Sequence, residues 1–147
     1  KHIGTEVINT VAKPKLTIVQ TDNNGGEYLT EGKEITFTLS IKNEGKISTD
    51  IINIQNELSQ YVTASGYSYT VNGTGKAQGN ISNNKLDIKR SVGPGEELKI
   101  NLKAVANELL NTVKEASFES VFTVSGDIIG QLSSNVLKKT VEQSTVL

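Results

Sequence analysis

The chain has 147 residues, with 15 Lys and Arg against 16 Asp and Glu, one His, and no Cys, Met or Trp. A formal net charge of −1 supplies no basic field for nucleic acid and no polybasic surface for anionic lipid. Without Cys there is no disulfide, thiolate metal site or cysteine nucleophile, and no apolar run approaches the ~20 residues that cross a bilayer as a helix. The first elements are weak. Residues 1–13 are short and mixed, with Val7, Ile8 and Val11 as apolar residues, and Pro14 interrupts them. Leu16-Thr17-Ile18-Val19 reads as a first strand, followed by a dense turn cluster at Asp22–Glu27. Glu34–Asn43 is much stronger. Ile35, Phe37, Leu39 and Ile41 alternate with polar residues, which is the period of a half-buried strand. Asp50–Gln55 reads as the next strand.

Asn56–Thr63 breaks the alternation and is expected to cross between sheets, with room for one helical turn. Tyr67, Tyr69 and Val71 mark a further strand, and Gly73–Asn84 reads as a loop without apolar periodicity. Leu86 and Ile88 mark a short strand. Gly93-Pro94-Gly95 turns the chain into Glu97–Ala106, where Leu98, Ile100, Leu102 and Ala104 repeat the strict alternation. Leu109, Leu110 and Val113 are spaced for one turn of helix. Phe118–Ser125 is expected as one strand burying Phe118, Phe122 and Val124, and Asn135–Val141 as the last. The result is an all-β, immunoglobulin-like antiparallel β-sandwich of about seven to nine strands. In it, Phe37 and Leu39 would face Ile100 and Leu102 across the core. Two sheets packed about 10 Å apart would hold the termini at opposite ends.

A faint internal echo joins the two ends of the chain. Ile3, Gly4, Asn9 and Lys13 match Ile129, Gly130, Asn135 and Lys139 at a constant offset of 126 residues. Residues 1–13 therefore read either as a linker or as the tail of a preceding repeat, residues 14–141 as the sandwich, and residues 142–147 as a linker. A chain that begins Lys1-His2-Ile3 is expected to be a processed product or an excised piece, with any signal peptide, sorting signal or anchor outside it.

The chemical constellations are poor. His2, the only histidine, lies at the terminus, away from any evident pocket. Asp22–Glu27 has oxygen ligands and glycines but fails the EF-hand spacing: Gly26 stands where the fifth ligand belongs and Glu27 where the glycine does. It reads as a polar turn, with calcium at a module junction as the lesser alternative. Glu96 and Glu97 are strand neighbours and point to opposite faces, so they cannot flank one glycosidic bond. Asn72-Gly73-Thr74 and Asn80-Ile81-Ser82 are glycosylation sequons of the kind an Asn-rich chain produces by chance. Tyr67 and Tyr69 share a strand face. They suit either a sugar-stacking platform or, as we favour, the margin of a core short of large residues. No catalytic, cofactor or metal residue is assigned.

Several of these segments resemble the immunoglobulin-like repeat domains of bacterial cell-surface proteins known as DUF11 or conserved repeat domains. The residues are Gly32-Lys33-Glu34-Ile35-Thr36-Phe37-Thr38-Leu39-Ser40-Ile41-Lys42-Asn43-Glu44-Gly45, a degraded crossover at Asn56–Val62, Val92-Gly93-Pro94-Gly95-Glu96 through Val105, and Phe122–Gly126 with Asn135-Val136. The resemblance covers roughly residues 14–141. It implies a non-catalytic spacer or stalk unit, extracellular or wall-attached on a Gram-positive surface, a monomer whose partners are neighbouring repeats of the same chain. Two further readings stay open. One is an adhesin module for a glycan or host protein, with its site at Gly73–Asn84 and Asp22–Glu27 if these meet at one end. The other is an accessory domain of a surface enzyme. Surface modules of this kind also carry Lys–Asn or Lys–Asp isopeptide bonds in some cases, for which Lys15 and Asn135 are the candidates here.

Overall fold

The two strictly alternating segments form the centre of the molecule, and they lie side by side. The structure, a computed structural model, describes residues 12–144. Its strands are β1 (Leu16–Asp22), β2 (Tyr28–Thr30), β3 (Glu34–Asn43), β4 (Ile52–Glu57), β5 (Val62–Val71), β6 (Thr74–Gly79), β7 (Lys85–Arg90), β8 (Glu97–Ala106), β9 (Glu115–Ser120), β10 (Thr123–Gly126), β11 (Gly130–Ser133) and β12 (Leu137–Glu142). A five-stranded sheet runs β1-β3-β8-β5-β6. The opposite layer is divided into β11-β10-β4-β7 and β2-β12-β9. Every pairing is antiparallel except β2 with β12, which run parallel.

The fold is the expected β-sandwich, with twelve strands among the described residues in place of seven to nine. β3 and β8 have the expected bounds, because every second side chain on each is buried against the other layer. One expectation fails. Phe37 pairs with Leu102 and Leu39 with Ile100 within the same sheet, so the two segments supply one face of the core. The opposing face comes from Ile52 and Ile54 of β4, Leu86 and Ile88 of β7, Phe118 of β9, Phe122, Val124 and Val141. Burying a side chain of this kind stabilises the fold by about 1.5–3 kcal/mol.

Other differences have local causes. The Phe118–Ser125 segment is two strands: β9 and β10 belong to different sheets, and the break falls at Val121-Phe122. Half of the expected Gly73–Asn84 loop, Thr74–Gly79, is β6, which makes a hairpin with β5. Its turn residues Asn72 (φ 51°) and Gly73 (φ 83°) both occupy the left-handed region, the geometry that matches strand twist in a two-residue hairpin. Neither expected helical turn forms. Asn56 and Glu57 finish β4, the crossover to β5 is Leu58–Tyr61, and Leu110–Val113 closes as a turn with Val113 N donating to Leu110 O. Among the described residues no helix is long and apolar enough to cross a membrane.

Register fixes the two ends of the sandwich. One end holds Leu16 beside Asn43, Lys42 beside Glu97, Val71 beside Leu98 and Ile52 beside Arg90. The other holds Glu34 beside Val105, Val62 beside Ala106, Glu57 beside Lys85 and Glu115 beside Glu142. The chain enters the sandwich at the first and leaves it at the second. Strands of ten residues separate them by about 33 Å.

Candidate functional site

The entry end is organised around Asn43. Its side chain is fully buried and makes four hydrogen bonds to main-chain groups. Oδ1 accepts from Lys15 N (3.2 Å) and Gly45 N (2.9 Å). Nδ2 donates to Ile47 O (2.8 Å) and Val92 O (3.0 Å). This uses the full capacity of a primary amide. Glu44 N donates to Lys15 O, and Gly95 N to Asn43 O, so the entering chain, the β3–β4 loop and the Gly93–Gly95 turn meet at one residue. Gly45 completes the arrangement. A Cβ there would stand 2.6 Å from Lys13 O and 2.7 Å from Lys15 N, well inside contact distance. Asn43 and Gly45 thus tie residues 13–15 down onto the domain.

The exit end is organised around Glu31. Its carboxylate accepts from Ser144 N, Ser144 Oγ and Leu109 N. The Ser144 and Leu109 main-chain donors hold its pKa below the ordinary glutamate value, against a smaller opposing effect of desolvation. Beside it, Gln60, Tyr61, Leu109, Leu110 and Val113 line a shallow cavity of about 260 Å³.

First and last strands are joined by buried polar groups that nothing local in the sequence announces. Lys139 Nζ lies 2.7 Å from Asp22 Oδ2, with the two side chains 7% and 8% exposed, and also donates to Gly26 O. Thr140 donates to the Glu27 carboxylate. The Asp22–Glu27 cluster is therefore a switch between sheets, packed on β12. Its ligand-like groups are engaged: Asp22 Oδ1 accepts from Asn24 N, and Asn24 Oδ1 accepts from Lys33 Nζ. Among the described residues no group of three His, Asp or Glu is placed to hold a metal ion. Asn135 bonds both main-chain groups of Gln20, with Oδ1 accepting from its N and Nδ2 donating to its O. Gln20 is buried and binds Ser120 O and Asn135 O, and Ser120 Oγ donates to it. Lys15 is exposed and sits five residues before Gln20, roughly 16 Å along an extended chain. The structure does not bring Lys15 and Asn135 together.

The remaining candidates are separated or occupied. His2 lies outside the described residues. Glu96 accepts from Gly93 N and caps the Gly-Pro-Gly turn, while Glu97 accepts from Ser40 on the neighbouring strand. Tyr67 and Tyr69 are half-buried and pack against the core. Tyr67 lies so close to Gly79 that a Cβ there would meet its ring at 2.9 Å, and Arg90 sits 5.5 Å over Tyr69. Sequon residues Asn72 and Asn80 are exposed. The two halves of the adhesin site do not meet. The Asn72-Gly73 tip stands at the entry end, where Asn72 bonds Glu97, and Asp22 lies on the opposite edge strand of the five-stranded sheet.

No family model matches this chain, and no curated protein does. Solved structures do. The N-terminal domain of the Streptococcus gordonii adhesin Sgo0707 superposes with a TM-score of 0.65 at 11% identity, over 84% of this chain and 32% of that one. The major pilin subunit BcpA of Bacillus cereus gives 0.63 at 15% identity, over 89% and 41%. The full-length major pilin SpaD of Corynebacterium diphtheriae gives 0.62 at 13%, over 84% and 35%. The chain spans less than half the length of each. At these identities the likeness is one of fold: a β-sandwich of the type found within bacterial adhesin and pilin structures.

Proposed function

We propose that this chain is a non-catalytic spacer repeat of a bacterial cell-surface or secreted protein, of the DUF11-like kind its motifs resemble. The observation that carries the reading is the position of the termini: the chain enters through the Asn43–Gly45 fastening at one end and leaves beside Glu31 at the other. A unit of that form lengthens a rod each time it is repeated. The N-x-G that closes the family motif fits the same role, since Asn43 and Gly45 are the residues that fasten the entering chain.

The internal echo supports repetition. Its four matches fall on positions with demanding tasks in the fold. Ile129 packs against the core, Gly130 has φ 70°, Asn135 bridges Gln20, and Lys139 is the buried cation. Residues 1–13 then represent the closing segment of a preceding copy, and neighbouring repeats are the partners of this one. The location is the cell surface or wall. Reading the parent sequence tests this: further copies at a period near 126 residues are expected, and a parent with a single copy attached to a catalytic domain would sink it.

A further inference from the structure

The echo fixes how far apart two successive copies can be. Lys13 takes the place of Lys139, which lies three residues before the end of β12. Three residues after Lys13 is Leu16, where β1 begins. Pro14 falls where Thr140 stands, and the Thr140 N–H bonds Glu27 O. Proline has no N–H, so pairing of that kind stops there. The junction between copies is therefore Pro14-Lys15. Two residues reach about 7 Å at most, and this pair is held on Gly45 and Asn43, which removes the slack a linker would need.

Copies joined so closely must touch, and both ends carry apolar side chains left uncovered within one copy. At the entry end Ile51 is 71% exposed and Ile128 54%. They are neighbours, because Asp50 accepts from Asp127 N. Ile47 stands near them on the loop bound by Asn43. At the exit end Leu110 is 75% exposed beside the cavity lined by Tyr61, Leu109 and Val113. Among the described residues eight large apolar side chains are exposed: Ile47, Ile51 and Ile128 at the entry end, Leu110 at the exit end, and Val19, Tyr28, Leu132 and Val136 elsewhere. The apolar groups at the two ends suit a heterologous head-to-tail contact.

We propose that a second copy of this domain docks end to end on the first, with Ile47, Ile51 and Ile128 of one copy resting on Leu110 and the Tyr61–Val113 cavity of the copy before it. This rests on the spacer reading and adds that the rod is stiff at its joints. The test is a tandem in which residues 1–142, which keep the core residue Val141 in the first copy, are followed directly by residues 14–147, a period of 129 residues against the echo's 126, compared with the single chain. The expected result is a higher midpoint of thermal unfolding in the tandem, by about 3–6 °C for domains of this size, with small-angle scattering of one extended rigid particle. Ile51→Asp in the second copy, or Leu110→Asp in the first, should abolish the rise. The same substitutions in the single chain should leave its midpoint within about 2 °C, as befits exposed sites. A tandem that unfolds at the single-chain midpoint, or whose rise survives both substitutions, overturns the contact. That outcome leaves the spacer reading intact if the parent carries further copies, whereas a parent without them removes both.

Discussion

Replacing Asn43 with Asp changes one NH2 to an oxygen and tests the entry fastening directly. The carboxylate can still accept from Lys15 N and Gly45 N. It cannot donate to Ile47 O and Val92 O, and it sets an anion against two carbonyl oxygens at a position with no exposure. Val92 O keeps its bond from Thr49 N, so one carbonyl loses its partner outright and one loses half. Lost bonds of this kind cost about 0.5–1.5 kcal/mol each, and an uncompensated buried polar group about 1–3. Burial of the charge adds to that, and the sum is about 3–5 kcal/mol at pH 7. The pH dependence has a definite sign. Burial and facing carbonyls favour the protonated acid, raising the folded pKa of the introduced carboxyl above its unfolded value. The native state then holds the proton more tightly, and the deficit should shrink as pH falls toward the ordinary aspartate range. Urea unfolding followed by circular dichroism at pH 7 and pH 4.5, with Asn43→Ala for comparison, measures this. An Asn43→Asp protein within about 1 kcal/mol of the parent at pH 7 would show that the four hydrogen bonds do not hold the entry end.

The buried Lys139–Asp22 pair gives a second expectation. Lys139→Met should destabilise by about 3–5 kcal/mol, because it strands a buried carboxylate, while the double variant with Asp22→Asn recovers most of the loss; a double variant as unstable as the single would refute the pairing. Lys139 Nζ is shared between Asp22 and Gly26 O, and the adjacent Glu27 carboxylate is engaged by Thr140. The intact mass should therefore equal that of the sequence, and a deficit of one water would show an amide instead. At the exit end, Glu31 has a folded pKa below its unfolded one, so the stability it contributes is present at neutral pH and is lost as pH falls through and below the glutamate range. Glu31→Gln should flatten that part of the stability-against-pH curve; an unchanged acid limb would show that Ser144 and Leu109 are not held by the carboxylate.

What could be read in the sequence follows from what each strand buries. β3 and β8 were legible to the residue because one face is fully buried and the other solvated for ten residues. β6 was not, since Thr74–Gln78 are all exposed and carry no periodicity; the Asn72-Gly73 pair was the one local sign of its hairpin. β9 and β10 read as one strand because Phe118, Ser120, Phe122 and Val124 keep the same alternation through the change of sheet. Nothing in the side chains marks where the hydrogen-bonding partner changes. The placing of β8 beside β3, instead of across the core from it, is likewise set by topology. The Lys139–Asp22 contact joins residues 117 positions apart. The Asn43 fastening was half legible: its N-x-G was visible as a strand end, but the groups it binds lie on three separate segments.

The parallel pairing of β2 with β12 has a mechanical consequence. When the termini are pulled apart, β1 is drawn lengthwise toward the entry end and β12 lengthwise toward the exit end. The rungs between β12 and its neighbours β2 and β9, and the seven residue pairs between β1 and β3, then lie across the direction of pull. They are loaded in shear and must fail together, in contrast to a hairpin peeled open one rung at a time. The Lys139–Asp22 and Asn135–Gln20 contacts tie the last segment straight to the first. Tension passes between these terminal segments, and the β5–β6 hairpin and β7 at the far edge stand outside the path of the force.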